Sequence, residues 1–336
     1  MPNLRDVARR AGVSTATASR VANGSLAVRH ETRERVESAM RELLYVPPGR
    51  KTATGAIGLL VPELANPIFP ALAQAMEARA TAAGLATILG NTAAAAFREV
   101  DYVHMLLDRR VDGFIFISCE MTHLSGDHDH YAQLLDDGAR LVFVNGGLAA
   151  LDVPSVGIDE RHGGQLATQH LIELGHRRIG FVAGPQDYLP TREKAAGRAQ
   201  ALADAGVAEN GLVAHGEFSF AGGRSAMREL LDRRGDRPTG VICSSDVMAI
   251  GALREARDAG LRVPEDLSVV GFDGTEAADW VEPPLTTIEQ PIEQIADRAV
   301  EALESLIADG GRSLPSVVFR GKLRRGRSTG PPPHNR

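Results

Sequence analysis

The chain has only two cysteines in 336 residues, Cys119 and Cys243, each inside an apolar run. Two thiols build neither a disulfide framework nor a thiolate zinc site, so both read as buried free thiols. No apolar run approaches the roughly 18 residues that cross a bilayer. The start, Met1 to Arg10, is polar and basic with no apolar core of a signal peptide. A membrane span and a secretory signal are therefore not expected, and the expected compartment is the cytoplasm. Catalytic signatures are missing too. No G-x-G-x-x-G follows the first strand-like run, and there is no Walker A run, G-x-S-x-G elbow or H-E-x-x-H. Ser118-Cys119-Glu120 has no histidine at a telling spacing. Neither an enzyme nor a cofactor is expected.

What is present is a chain with 43% apolar and 24% charged residues, ordinary for a folded protein and longer than one core usually grows. Charge is unevenly spread. Residues 1–51 hold ten Lys and Arg against five Asp and Glu, and the remainder is left at −11 of the total −6. A basic head on an acidic body points to nucleic-acid contact at the N-terminus, although a solvated basic face has the same composition.

The first 46 residues contain no strand-like run. Leu4, Val7, Ala8 and Ala11 share one face of a short helix that Asn3 caps and Gly12 ends. Ser14 opens a second helix whose inward face is Ala18, Val21 and Ala22, and Asn23-Gly24 closes it. A third carries Val36, Met40, Leu43 and Leu44. Three short helices with a tight glycine turn between the first two describe a helix-turn-helix unit. Residues 47–56, opened by Pro47-Pro48-Gly49, read as a linker. From Ile57 onward, strand-length apolar runs (57–61, 85–90, 112–118, 140–145, 178–183, 240–244, 267–272) alternate with helical stretches (68–83, 95–109, 161–174, 191–205, 223–233, 247–259, 291–308). Crossovers of that length imply parallel strands covered on both faces. The residues after Arg324 read as a mobile tail.

At this level of detail the chain resembles the LacI-type bacterial transcriptional regulators. The head carries Leu4-Arg5-Asp6-Val7-Ala8, Ala11-Gly12-Val13-Ser14, Thr17-Ala18-Ser19-Arg20-Val21, Asn23-Gly24 and Leu44-Tyr45-Val46-Pro47. The body carries Asn66-Pro67-Ile68-Phe69, Arg110-Val111-Asp112-Gly113, Leu174-Gly175-His176-Arg177-Arg178-Ile179, Val263-Pro264-Glu265-Asp266, Gly271-Phe272-Asp273 and Pro283-Pro284-Leu285-Thr286-Thr287-Ile288. The resemblance implies an all-α helix-turn-helix headpiece on an α/β body of two doubly wound parallel-sheet subdomains, of the periplasmic-binding-protein type. The expected boundaries are 1–46 for the DNA-binding domain and 47–56 for the hinge. The N-subdomain is 57–157 with 289–316 returning to it, the C-subdomain is 158–288 with 317–325, and 326–336 is the tail. The implied function is a ligand-responsive, sequence-specific regulator, a repressor controlled by a small sugar or related metabolite. A solute-binding protein of the transport type is the alternative, and it predicts an export signal and no basic head.

On the recognition helix, Thr15, Ala16, Ser19 and Arg20 lie off the buried face, and Ser14 and Thr17 are short hydroxyls suited to phosphate. Arg20 is the strongest candidate for a base contact, because its guanidinium can take guanine O6 and N7 together. Asn3 and Asn23 complete the expected contact set. The resemblance also implies a hinge helix with a leucine wedge, but Pro47 to Ile57 is about five residues shorter than that pattern and contains no Leu. Arg50 and Lys51 are expected to reach the DNA as an extended arm instead. Homodimerisation is implied through the helix carrying Leu72, Ala75, Met76 and Arg79, with pairing of dimers into tetramers left open.

Open α/β sheets place ligands at the carboxyl ends of their strands. The effector-binding candidates are Asn66, Phe69, Asn145, Lys194, Phe218, Asp246, Asp273 and Gln290, with a carbohydrate as the expected partner. Lys194 stands where the family has Arg, which removes bidentate geometry. Asp246 reads equally well as a helix cap. His123, His128 and His130 surround Asp127 and Asp129 in a polar loop, but their spacing puts no three ligands on one face, and no metal is expected.

Overall fold

The computed structural model describes residues 3–22, 28, 30–43, 55–92, 98–209, 211–233, 237–308 and 313–333. Asn23, Arg50 and Lys51, and most of the expected hinge, lie outside them. The chain divides into two compact units, Met1–Thr54 and Gly55–Arg336.

The first unit holds α1 (Leu4–Ala11), α2 (Thr15–Ala22) and α3 (His30–Glu42). Asn3 opens α1 with a reciprocal cap: its Oδ1 accepts from the amides of Arg5 and Asp6, and its own amide donates to Asp6 Oδ2 at 3.0 Å. Gly12 ends the helix at φ 65°, a left-handed turn that a side chain would strain. Ser14 then caps α2 through the Thr17 amide at 3.1 Å. The core is Val7, Ala8, Ala11, Ala18, Val21, Ala22, Val36, Ala39 and Met40. Five of these nine are alanines, so the helices approach closely and bury little apolar area. Arg35 of α3 donates to the carbonyls of Ala11 and Gly12, at 2.5 and 3.2 Å, placing a cation on the carbonyl end of α1.

The second unit is built on two sheets. In chain order its elements are β1 (Ala56–Val61), α4 (Ile68–Ala82), β2 (Ala86–Asn91), α5 (Glu99–Asp108), β3 (Phe114–Ile117), α6 (Asp129–Asp136), β4 (Leu141–Val144) and β5 (Ser155–Ile158). There follow α7 (Glu160–Glu173), β6 (Ile179–Ala183), α8 (Leu189–Asp204), β7 (Val213–His215), α9 (Phe220–Asp232), β8 (Gly240–Cys243), α10 (Asp246–Asp258) and β9 (Ser268–Asp273). The last elements are β10 (Thr286–Glu289), α11 (Ile292–Ile307), β11 (Val317–Phe319) and β12 (Lys322–Arg324). The first sheet runs β11-β5-β4-β3-β1-β2 and the second β12-β10-β9-β8-β6-β7. Apart from the edge strand β12, which is antiparallel to β10, every pairing is parallel, and β3, β4, β6, β8 and β9 are buried along their length. Val-, Ile- and Phe-rich runs covered by helices on both faces give this.

The chain passes between the lobes at β5 to α7, β10 to α11 and β11 to β12. These passages pack together: the Asp159 amide donates to Phe319 O at 2.7 Å, and a side chain at Gly321 would lie 2.9 Å from both Ile158 and Ile288.

Several expectations change. Residues 317–319 belong to the first sheet rather than the second lobe, and only β12 joins the second. The short strands β5, β7, β10, β11 and β12 and helix α6 were not marked by any long apolar run. The tail is stitched down through Gly330. Ser328 is buried, accepts from the Thr286 amide at 2.9 Å and donates to Val269 O, while the Gly330 amide donates to Ser268 Oγ at 3.0 Å. Leu72 and Met76, expected to face a second copy, are fully buried in the first lobe's own core against α11, with Ala75 beside them. Arg79 pairs with Asp297 and Glu304 of α11.

Candidate functional site

The headpiece exposes one polar face. Ser14, Thr15, Ala16 and Arg20 are exposed, Thr17 and Ser19 are half-buried, and Ala18, Val21 and Ala22 of the same helix are in the core. Ser14 Oγ also lies 2.9 Å from Thr17 Oγ1, so capping and display are not exclusive. The hydroxyl that holds the helix start stays at the surface, at the kind of helix end that binds phosphate. Asn3 is likewise both cap and exposed. Apart from Asn3 at the start of α1, the described candidates fall on or beside one short helix, with Arg20 exposed on it.

Between the two lobes of the body lies a cavity of about 660 Å³, within the usual range of small-molecule sites. Each of β1 to β10 sends a residue from just beyond its carboxyl end into this space: Glu63 and Asn66 after β1, Thr92 after β2, Ser118 after β3, Asn145 after β4 and Glu160 after β5. The second lobe supplies Tyr188 after β6, Glu217 and Phe218 after β7, Ser244 and Ser245 after β8, Asp273 at the end of β9 and Gln290 after β10. Three of these turns bend through positive φ at residues other than glycine, namely Ser118 (49°), Asn145 (57°) and Asp273 (120°). Such backbone is costly and is retained where surrounding structure fixes it, often at ligand sites.

A hydrogen-bond relay crosses the floor. Asn145 Oδ1 accepts from the Ile158 amide at 3.2 Å, and its Nδ2 donates to Gln290 Oε1 at 3.3 Å. Gln290 Nε2 in turn donates to Asp273 Oδ1 at 2.8 Å. The other oxygen, Asp273 Oδ2, is buried without a partner. Burial is the largest cause holding the Asp273 carboxyl well above the usual range, with the nearby Asp246 charge adding to it and Lys194 opposing. This oxygen lacks a donor, on a residue that lines the cavity.

Lys194 is 4% exposed. Its Nζ lies 2.7 Å from Glu160 Oε2 and 4.1 Å from the centre of the Phe272 ring. The contact with Glu160 is an ion pair largely out of water. Glycines make the pairing reachable: a side chain on Gly164 of α7 would strike Lys194 O at 2.4 Å, and one on Gly197 of α8 would strike Arg161 O. Helices α7 and α8 therefore run nearly backbone to backbone, with Glu160 and Lys194 at their cavity ends.

Of the eight expected effector residues, Asn66, Phe69, Asn145, Lys194, Phe218, Asp273 and Gln290 line this cavity. Asp246 does not. It is fully buried behind the wall, where its carboxylate accepts from Thr287 Oγ1 at 2.6 Å, the Thr275 amide at 2.8 Å and Thr275 Oγ1 at 3.0 Å. Burial raises its pKa to about 6 against those three donors. Ser245, not Asp246, caps α10, accepting from the Met248 amide at 3.3 Å. Asp246 is a strut that fixes the turn after Asp273 and the start of β10.

Sequence reasoning missed Glu63, Glu120, Glu160, Tyr188 and Glu217. Burial raises the carboxyls of Glu63 and Glu120, and each is raised further by a neighbouring carboxylate, Glu217 and Glu99 respectively. Glu63 and Glu217 stand on opposite lobes, so their repulsion acts across the cleft. The strand-end rule that picked Asn145 also points to Ser118 and Glu120. A lone lysine among acids was itself a signal that one of them pairs with it.

The histidine loop is occupied otherwise. His128 lies 2.9 Å from Glu120 O, and His130 is 3.1 Å from the buried Glu99, which Tyr131 also contacts. His123 reaches across to the other lobe, 3.2 Å from Asp187, and its ring lies 5.0 Å from that of Tyr188. Among the described residues no group of three or more His, Cys, Asp or Glu is placed to hold a metal ion. Cys119 and Cys243 are free and buried, and Cys119 also touches the cavity. No helix among the described residues is long and apolar enough to cross a membrane.

Comparison with known proteins adds to this geometry. Residues 3–48 match the profile of bacterial regulatory proteins of the lacI family, and residues 168–329 match a periplasmic binding protein-like domain. An uncharacterized HTH-type transcriptional regulator in the aml 5' region of Streptomyces limosus is 41% identical over 329 residues, 96% of this chain and 93% of that protein. Among solved structures, the transcriptional regulator CelR–cellobiose complex superimposes with TM-score 0.73 at 35% identity, covering 98% of this chain and 100% of that one. The lac repressor dimer bound to operator and the anti-inducer ONPF gives 0.72 at 29% identity, covering 98% and 99%.

Proposed function

The chain belongs to the lacI family of bacterial regulatory proteins and is a DNA-binding transcriptional regulator, and from that premise we propose that it is a repressor whose operator grip is governed by a carbohydrate in the interlobe cleft. The observation that carries the effector half is Asp273 Oδ2, buried at the cavity floor without a donor while Gln290 fixes its twin oxygen. A sugar hydroxyl supplies the missing donor, and Phe69, Tyr188 and Phe218 offer aromatic faces to the C–H side of a ring. The bound cellobiose of one structural relative supports this ligand class.

In the DNA half, Arg20 reads a base edge while Asn3, Ser14, Thr15, Ala16, Thr17 and Ser19 set register on the backbone and the neighbouring bases. Asn23, Arg50 and Lys51, outside the described residues, extend that contact. One headpiece is small, so two are needed, and a homodimer supplies them with a gain from effective concentration. Because Leu72 and Met76 are used inside the lobe, pairing through α4 falls to its opposite face, where Gln74, Glu77, Ala78 and Thr81 are exposed. Ligand bound to both lobes selects one lobe arrangement, and its differential affinity for the two arrangements is the most it can transmit.

The test is fluorescence anisotropy of the full-length protein on DNA from upstream of its own gene, at fixed salt, with and without cellobiose, maltose and ribose. Salt-sensitive binding that one sugar shifts is the expected result. Binding to no duplex at low salt would defeat the regulator reading, and binding that no sugar alters would defeat the carbohydrate reading.

A further inference from the structure

We infer that Glu160 determines the charge class of the effector: by holding Lys194, the one Lys or Arg among the described lining residues, it leaves an anion no ammonium or guanidinium to meet, so the site takes an uncharged polyhydroxylated ligand and rejects phosphorylated or carboxylated counterparts. This rests on the cleft being the effector site.

Among the described residues that line the cavity, Lys194 is the one Lys or Arg, against the carboxylates Glu63, Glu120, Asp127, Glu160, Glu217 and Asp273. Lysine is the group an anionic ligand would need, and here it is spent. One side of the ammonium meets Glu160 Oε2 at 2.7 Å and another lies over the Phe272 ring. Both partners are largely out of water, with side chains 5% and 12% exposed. Separating such a pair to serve a ligand leaves a buried carboxylate uncompensated, which is expensive. Burial already pushes the Glu160 carboxyl up, and Lys194 is the group that pulls it back down.

The hydrogen-bond inventory points the same way. Asp273 Oδ2 is buried without a partner, and Asp273 lines the same cavity as this pair. Gln290 already donates to Asp273 Oδ1, so Oδ2 is the oxygen left without a donor; a phosphate or carboxylate oxygen brings it no proton, and a second negative charge beside this buried carboxyl adds to the cost of its ionisation. A ligand hydroxyl can donate to that oxygen. The carboxylates on each lobe, Glu63 and Glu217, both line the cavity and already disfavour one another's charge, so an anion in that space meets the same sign from both lobes.

The test uses full-length protein and sulfate, a small dianion, at constant ionic strength, followed by calorimetry and thermal shift. Glu160→Gln should bind sulfate at least about tenfold more tightly than the wild type, and the Glu160→Gln/Lys194→Met double variant should lose that gain. Equal affinity in wild type and Glu160→Gln overturns the inference, as does a gain that persists without Lys194. Should Glu160→Gln not fold, wild type against Lys194→Met decides: sulfate binding that depends on Lys194 in the wild type refutes the inference, and its absence supports it. In a parallel arm, ribose is compared with ribose 5-phosphate, and cellobiose with cellobionate. Preference for the neutral member supports the assignment, and preference for the anion overturns it. If no sugar binds while the sulfate arm behaves as expected, the carbohydrate reading falls and the role of Glu160 stands.

Discussion

The headpiece and the body recognise their partners by opposite physical means. The headpiece presents exposed groups from one short helix over a core in which five of nine buried residues are alanine. Its ligand is a large polyanion, so surface charge and short hydroxyls suffice, and water is displaced only on docking. The body instead keeps polar atoms buried and incompletely satisfied, Asp273 Oδ2 above all, inside a scaffold of two six-stranded sheets. A small neutral ligand offers no long-range pull, so its affinity has to come from enclosed, pre-placed hydrogen bonds. A surface reader can rest on a minimal core, whereas a cavity reader needs a large one to hold strained turns and buried charge in place.

The contrast breaks first at Arg20. Its side chain is exposed and is not part of the buried face, so Arg20→Ala should leave folding and sugar affinity intact. A bidentate base contact is worth about 1–3 kcal/mol, and its loss weakens operator binding by roughly five- to 150-fold. Anisotropy on operator and scrambled DNA separates the outcomes: a loss confined to the operator fits base reading, and an equal loss on both would demote Arg20 to a phosphate contact.

The matching change in the body is Asp273→Asn. Effector affinity should fall by about tenfold or more, since a buried acceptor at a polar site is replaced, while DNA binding without ligand stays as it was. Stability should move the other way. Burial holds the Asp273 carboxyl well above its ordinary value, so the folded state binds the proton more tightly than the unfolded chain. The stability this confers is complete below the ordinary carboxylate pKa and is lost as pH rises through the raised folded value. Removing the charge should therefore stabilise the ligand-free body at pH 8 by something on the order of 1 kcal/mol and flatten its pH dependence. A lower melting temperature for the variant at pH 8 would count against a site that stores electrostatic strain.

Legibility in the sequence followed the same divide. The headpiece was readable because its cap, turn and contact residues lie within one local stretch, Asn3 to Arg20, and helix periodicity sorts buried from displayed. In the body, the long runs that became β1, β3, β4, β6, β8 and β9 were visible, as were most helices. Strands such as β7 (Val213–His215) and β11 (Val317–Phe319) are three residues long and take their identity from a neighbouring strand, which no local pattern records. The cleft gathers residues from the ends of ten strands, so single positions such as Asn145 and Gln290 could be picked out, but their relay could not. Asp246 shows the limit most clearly. An acidic residue at a strand end before a helix fits a ligand contact, a cap and a strut equally well, and only the threonines at 275 and 287 decide it. Likewise Leu72 and Met76 have the same helical spacing whether they face a partner or their own core.

Within the headpiece, Arg35→Ala sharpens the claim that a small core leans on such polar contacts. The guanidinium closes two carbonyls at the end of α1, and its loss should cost about 1 kcal/mol. Because the two units are separate compact bodies, calorimetry should show the headpiece transition lowered and the body transition unmoved. A shift of both would mean that the two melt as one.

The smallest effect is expected at the bridge between the lobes. Asp187 of the second lobe accepts from Ser125 of the first and lies 3.2 Å from His123 Nε2, and its carbonyl accepts from the Leu124 amide at 2.9 Å. The side chains are more than a third exposed, so each contact contributes little in water. Their position is what counts, because they join the lobes at the cavity rim, whereas the chain passages join them through the backbone. Asp187→Ala removes the side-chain contacts and keeps the backbone one, and should favour open lobe arrangements. A ligand that needs both lobes then binds a less populated state, and its affinity drops by the fraction lost, roughly two- to fivefold, without change at the floor. Stopped-flow binding reads this as faster release with association unchanged or faster. If ligand affinity rises instead, the bridge opposes the bound arrangement, and the cleft closes further than the structure shows.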